Sequence, residues 1–291
     1  MCIRDRLQAF VQNQGDGWDY TVNYLVRFLE DRRTAAPMPV GVHGSYLALM
    51  HTLGQRTAEL HRALATPTED ASFAAEPVTP DDLRLWRTRA REELDGTVEL
   101  VTRVPELPET LRAQPAALLL RREALLRRVE AVPDSLAQGV KIRHHGDFHL
   151  GQLLLQRNDF IIADFEGEPA RPLAARREKG SPLRDVAGML RSFRYARSVA
   201  IRRCMLESHD DCNRWEPLLK DWEREARTQF LEAYAAGVRG SVLYGSFEQA
   251  RPLLELFELE KALYELRYEL RNRPDWVSIP LGSLLELARG D

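Results

Sequence analysis

Two carboxylates and an amide stand at the ends of two short apolar runs between residues 143 and 168. The run is Arg-His-His-Gly-Asp-Phe-His-Leu-Gly-Gln-Leu-Leu-Leu-Gln-Arg-Asn-Asp-Phe-Ile-Ile-Ala-Asp-Phe-Glu-Gly-Glu. Leu153–Leu155 and Phe160–Ala163 read as strands around a turn at Arg157-Asn158-Asp159. Such a hairpin brings its flanking polar segments side by side, so Asp147 approaches Asp164, with Gln152 at the mouth of the first strand. Oxygen donors of this kind suit magnesium, which takes one or two protein carboxylates and fills its octahedron with water and substrate phosphates. A further carboxylate beside the ion can accept a proton from an attacking hydroxyl. Together these are the parts needed for phosphoryl transfer, in which a protein positions groups and offsets charge. His145 and His149 also invite a zinc reading, but zinc wants three or four nitrogen or sulfur ligands, and Cys204 and Cys212 are remote in sequence.

The spacing has a counterpart. Protein kinases carry His-x-Asp-x-x-x-x-Asn, then a hairpin and Asp-Phe-Gly. Here His145, Asp147 and Gln152 fall on the first frame, with Gln for Asn, and Asp164-Phe165-Glu166-Gly167 stands in place of the second. His-Gly-Asp-x-His also resembles the loop of aminoglycoside phosphotransferases. The longer string through Glu168-Pro169-Ala170-Arg171-Pro172 and Ser181-Pro182-Leu183-Arg184-Asp185 resembles maltokinases, including those fused to a trehalose synthase domain.

That resemblance implies an α+β, mainly helical fold: the C-terminal lobe of a protein-kinase-like, aminoglycoside-phosphotransferase-like architecture. It implies ATP and Mg2+ as cosubstrate and cofactor, maltose as acceptor and maltose 1-phosphate as product. Asp147 becomes the proton acceptor and His145 a support of its loop. Gln152 and Asp164 become metal ligands, Glu166 holds a metal-bound water or second ion, and His149 lies near the sugar. A helix Asp in such folds hydrogen-bonds the catalytic-loop backbone, a role that falls to Asp185. Leu7–Val11 resembles the last small-lobe strand entering the hinge, which would set Phe10, Val11 and Gln12 against the adenine. A trehalose synthase domain is the expected fused or associated partner. The alternatives are a kinase of another small hydroxylated acceptor, such as an aminosugar or aminoglycoside, and a sugar-binding lobe without catalysis.

The rest of the chain must position these groups. Residues 1–6 fit poorly with the segment after them and read as a truncated or non-native start, 7–19 as the strand and hinge, and 20–291 as the helical lobe. A kinase-like fold needs a phosphate-covering loop and a lysine on its third strand. No glycine-rich phosphate motif occurs, and Lys141, Lys179, Lys220 and Lys261 lie on no early strand, so the small lobe is expected to be largely missing.

Helical periodicity predicts helices over about Tyr20–Arg33, Ser45–Leu64, from Asp81 past Arg91, Ala116–Val132, Pro182–Ala200, Asn213–Gly237 and Ser246–Leu270. In Ala116–Val132, Leu118, Leu119, Leu125, Leu126 and Val129 are expected inside. His51 and His61 fall within the second helix and read as surface or packing histidines. Arg171, Arg176, Arg177 and Lys179 lie in a Pro- and Arg-rich loop where they could meet phosphate or sugar oxygens. Near the C-terminus Tyr264, Glu265, Tyr268, Arg273 and Trp276 mix aromatic faces with hydrogen-bonding tips, as a sugar requires.

Composition bounds the partners. The formal net charge of −3 gives no bias toward nucleic acid or anionic membrane. The three cysteines, Cys2, Cys204 and Cys212, form no paired framework, so a reducing cytoplasm is the expected compartment. No apolar run reaches membrane-spanning length.

Overall fold

The computed structural model describes residues 10–33, 41–103, 114–169, 171–208 and 212–289. The first six residues, Leu7–Ala9 of the expected first strand and Pro105–Pro108 lie outside them. Most of the described chain is helical. The helices are α1 Gly17–Asp31, α2 Gly44–Leu64, α3 Pro80–Arg103, α4 Gln114–Glu130, α5 Leu173–Arg176, α6 Leu183–Ser208, α7 Cys212–Val238, α8 Arg251–Asn272 and α9 Ser278–Leu287. Two small antiparallel sheets interrupt them: β1 Glu76–Pro77 with β2 Val140–Lys141, and β3 Leu153–Gln156 with β4 Asp159–Ile162. Among the described residues, no helix is long and apolar enough to cross a membrane.

Two compact units divide the chain, one from the described residues of Met1–Ala74 and Ile142–Ser241, the other from those of Ala75–Lys141 and Val242–Asp291. The first holds the 143–168 hairpin. Its framework is α2 against α7 and α1 against α6. The Asp16 carboxylate caps α1 by accepting the Asp19 amide at 2.8 Å, and Val22, Leu25, Phe28 and Leu29 face the core. In α6, the Ser181 hydroxyl accepts the Leu183 amide at 3.3 Å, so the helix opens at Leu183 rather than at Pro182.

Helices α2 and α7 approach backbone to backbone because Gly54 leaves room. A Cβ there would overlap the Phe230 carbonyl oxygen and come within 2.8 Å of the Ala233 Cβ. The sequence presents Gly54 as a weak point in a helix, since glycine costs about 1 kcal/mol against alanine; in the fold its bare Cα is the contact. Gly54→Ala is therefore expected to destabilise the protein, because overpacking costs roughly 1–3 kcal/mol and more where backbone must move. A thermal melt should show Tm lowered by several degrees; an unchanged or raised Tm would mean that the helices part without cost.

The second unit packs α3 on α4 and α8, and α8 on α9, around Leu83, Trp86, Leu94, Phe257 and Leu263. One expectation fails here. Leu119 is 51% exposed and Leu120 82%, because only one narrow stripe of α4, through Leu118, Leu125 and Val129, faces inward. Helix α9 lies beyond the periodic segments, its sequence broken by Pro280 and Gly282.

Candidate active site

The expected β3–β4 hairpin forms, with Leu153 opposite Ile162 and Gln156 opposite Asp159. Its turn is tighter than the sequence pattern suggests. Arg157 and Asn158 alone make it, with φ of 49° and 62°, the left-handed pair of a two-residue turn whose twist matches the strands. Asp159 already belongs to β4. The Arg56 guanidinium of α2 grips its carboxylate at 2.9 and 2.6 Å, and this hydrogen bond holds Asp159 below the usual carboxylate range. On the other side Gln14 and Gly15 extend the hairpin by exchanging backbone hydrogen bonds with Leu155 at 2.8 and 3.0 Å.

His145 joins the two polar ends. Its Nδ1 accepts the Asp147 amide at 3.3 Å, and its Nε2 donates to the Ala163 carbonyl at 2.8 Å. A backbone N–H must donate and a carbonyl must accept, so the proton sits on Nε2. The buried ring also lies between Phe148 and Phe165, with centroids at 5.3 and 5.0 Å. One imidazole thus ties the loop carrying Asp147 to the turn carrying Asp164. The Ala163 amide in turn donates to the Gln152 carbonyl at 2.9 Å, which sets residue 152 beside that turn.

Asp164 has φ 58°. Left-handed backbone is uncommon outside glycine, tolerated best by Asn and Asp, and where it persists the surroundings impose it. Asp164 and Glu166 are exposed, Gln152 half-buried. Their donors are all oxygens available from side chains, a set that fits magnesium. No group of three His, Cys, Asp or Glu side chains clusters among the described residues; a magnesium site built from Asp164, Glu166 and the Gln152 amide does not require one. His149 accepts the Gly151 amide on Nδ1 at 3.1 Å, leaving its Nε2 3.8 Å from Asp147 Oδ2.

Behind the loop, one face of α6 reads its backbone over about two turns. Asp185 Oδ2 accepts the His145 amide at 2.7 Å and Oδ1 the Gly146 amide at 2.9 Å. Gly188 admits the Phe148 carbonyl, which would lie 2.6 Å from a Cβ there. The Ser192 hydroxyl accepts the Leu150 amide at 3.0 Å. Asp185 also sits in the first turn of α6, where the helix dipole favours negative charge. Burial alone would raise its pKa, but the His61 hydrogen bond and the neighbouring histidines reverse that and hold it far below the ordinary range.

His61 is the residue that sequence reasoning missed. It is fully buried, with Nε2 3.2 Å from Asp185 Oδ2 and Nδ1 2.8 Å from the Tyr234 hydroxyl. A signal existed: Leu53, Thr57 and His61 form one i, i+4, i+8 stripe, and an imidazole in a buried stripe needs partners. His51, by contrast, is exposed.

The other candidates lie on the flanks of this loop or in the second unit. Phe10 is 93% exposed, and the Gln12 carbonyl accepts the Gln156 side-chain amide at 2.8 Å; Val11 gives its carbonyl to Asn13. In the loop after the hairpin, Arg176 turns inward to the carbonyls of Arg171 and Pro169 at 2.8 and 3.1 Å, and Lys179 to that of Ala71. These two cations hold backbone carbonyls, while the side chain of Arg171 is exposed and that of Arg177 largely so. Tyr264, Glu265, Tyr268 and Arg273 belong to the second unit. There Tyr264 stacks on Tyr268 at 6.4 Å, and the Arg273 guanidinium lies 5.4 Å over Tyr268 and 4.8 Å over Trp276. Arg273 is also gripped by the buried Glu269 carboxylate at 2.8 and 2.6 Å.

No protein-family model matches the chain. It is 32% identical over 281 residues to a glucosamine kinase of Mycolicibacterium smegmatis, a match spanning 96% of this chain and 61% of that protein. A glucosamine kinase of Streptacidiphilus jiangxiensis is 29% identical over 282 residues, 96% of this chain and 56% of its own. The chain thus spans about three fifths of the length of these curated relatives. Among solved structures, a glucosamine kinase in complex with glucosamine, ADP and inorganic phosphate superposes with TM-score 0.74 at 28% identity, covering 96% of this chain and 59% of that one. A further crystal form of glucosamine kinase gives 0.75 at 27% identity, over 97% and 60%. Over nearly its whole length, the chain shares the fold of these sugar kinase structures.

Proposed function

We propose that this chain carries the acceptor-activating and metal-binding part of an ATP-dependent sugar kinase, and that its acceptor is an aminosugar such as glucosamine rather than maltose. The maltose reading and the trehalose synthase partner came from the resemblance to maltokinases. The curated relatives are glucosamine kinases instead, which favours the aminosugar alternative. The observation that carries the chemistry is the His145 clamp, which fixes Asp147 and Asp164 on adjoining backbones.

In this reading Asp147 orients an acceptor hydroxyl and takes its proton as the oxygen attacks the γ-phosphorus of ATP. The new O–P bond forms, the bond to the β-phosphate oxygen breaks, and ADP departs. Gln152, Asp164 and Glu166 would hold Mg2+, which would supply positive charge to offset that of the transferring phosphate. His149, half-exposed with its Nε2 3.8 Å from Asp147, would hydrogen-bond the acceptor. The Phe10–Gln12 backbone remains the candidate for the adenine edge, within a hinge at 7–19 leading to the lobe at 20–291. Tyr264, Tyr268 and Arg273 remain sugar-binding candidates, and the Glu265 carboxylate is the group there that an ammonium would seek.

The test is phosphoryl transfer from ATP with Mg2+ by this chain completed with a nucleotide-clamping lobe. Glucosamine, maltose, glucose and an aminoglycoside compete as acceptors. Glucosamine should be the preferred acceptor and chelation should abolish turnover. Preference for maltose would restore the first reading, and sugar binding without transfer would support a non-catalytic lobe.

A further inference from the structure

The buried end of this site contains one group that the proposed chemistry does not use. Asp185 meets three donors: the amides of His145 and Gly146 and the Nε2 of His61. A carboxylate can only accept, so His61 Nε2 must carry hydrogen. Its Nδ1 faces the Tyr234 hydroxyl at 2.8 Å. Asp185 is 2% exposed, and His61 and Tyr234 are sealed completely.

We propose that Tyr234 is a positioning residue for phosphoryl transfer, its hydroxyl fixing the His61 ring so that His61 holds Asp185 and, through it, the backbone of the Asp147 loop. This rests on reading that loop as catalytic. Whichever group donates, the Tyr234 hydroxyl is the partner of His61 Nδ1, and so it keeps the Nε2 hydrogen aimed at Asp185. Without the hydroxyl, Nδ1 has lost that partner in a site closed to water, and the ring has reason to turn. Asp185 then loses a donor, and its grip on His145 and Gly146 loosens.

The packing of α7 supports this. Tyr234 stacks on Phe230 at 6.4 Å and meets the His61 ring edge-on at 5.5 Å, and Gly54 and Gly237 let α2 and α7 approach closely. The hydroxyl sits where its ring is already held. Tyr234→Phe therefore removes the oxygen and keeps the packing.

The experiment compares Tyr234→Phe with the wild-type full chain in two ways. In the completed enzyme kcat should fall about tenfold or more, as expected for a displaced catalytic group, with KM for ATP and acceptor changed by less than about threefold. In a His61→Asn background, Tyr234→Phe should add almost nothing. Independently of activity, the 15N shifts of the His61 ring and the amide resonances of His145 and Gly146 should move in Tyr234→Phe. Unchanged amides together with unchanged His61 ring shifts overturn the proposal, whether or not the enzyme turns over. Altered amides in a chain that phosphorylates no sugar would instead reject the kinase reading and leave the relay standing. If Tyr234→Phe does not fold, His61→Gln and His61→Leu replace it. Gln can still donate to Asp185, so retention of wild-type amide shifts by Gln and not Leu supports the relay, and equal behaviour overturns it.

Discussion

Asp147→Asn should cut kcat by roughly 10²–10⁴-fold, the contribution of a positioned general base, while KM for ATP stays near its wild-type value. The substitution keeps the side chain's shape while removing its charge and basicity. The loop would be undisturbed, because its anchors are backbone groups: the Asp147 amide on His145 Nδ1 and the His145 and Gly146 amides on Asp185. Stability should barely change. The contact between Asp147 Oδ2 and His149 Nε2 is long, 3.8 Å, and the histidine side chain is 41% exposed; even a charged pair of that kind contributes about 0–1 kcal/mol. Steady-state kinetics and a thermal melt on the same preparation separate the outcomes. Lost turnover with an unchanged Tm identifies Asp147 as the base. Near-normal turnover would remove it from the mechanism, and a large fall in Tm would mean that the carboxylate serves the fold.

How much of this could be read from the chain depends on the range of each interaction. The hairpin is local. Its alternating Leu153, Leu155 and Phe160, its turn residues and its flanking carboxylates lie within one short stretch, so register and juxtaposition follow from neighbours alone. The relay behind it is not local. His61 meets Asp185 across 124 residues and Tyr234 across 173, and no spacing rule joins positions so far apart. Asp185 could be singled out only through resemblance to kinase-like folds, His61 looked like a packing residue, and Gly54 looked like a flaw. Leu119 shows the opposite error: periodicity counts an apolar residue as buried whether or not a neighbouring element covers it. The choice between maltose and an aminosugar in the proposed reading was not legible for a chemical reason. A loop that activates a hydroxyl can be the same for both, because phosphoryl transfer makes the same demands of both. In the second unit, Arg273 is held by Glu269 and Trp276 in ways that its place in the sequence does not reveal.

Asp185→Asn should damage both the fold and the reaction. The amide keeps the shape but offers one acceptor where three donors converge, and its own NH2 would face a donor. Removing one member of a buried charged network typically costs roughly 3–5 kcal/mol, and at least one of the His145 and Gly146 amides or His61 Nε2 would be left without its acceptor. Turnover should fall by about 10²-fold or more as the Asp147 loop loses its anchor, even at temperatures where the variant is folded. The same carboxylate sets a pH dependence. Because its folded pKa is depressed, Asp185 stabilises the native state fully above the ordinary unfolded value near 4, and that stabilisation is lost as pH falls below it toward the folded value. Chemical denaturation of the wild type from about pH 7 down to about pH 3 should therefore show stability declining with acid, and Asp185→Asn should show a shallower decline over the same interval. Parallel curves for the two proteins would mean that Asp185 titrates alike folded and unfolded, and the anchor would have to be sought in Ser192 and the close approach at Gly188 instead.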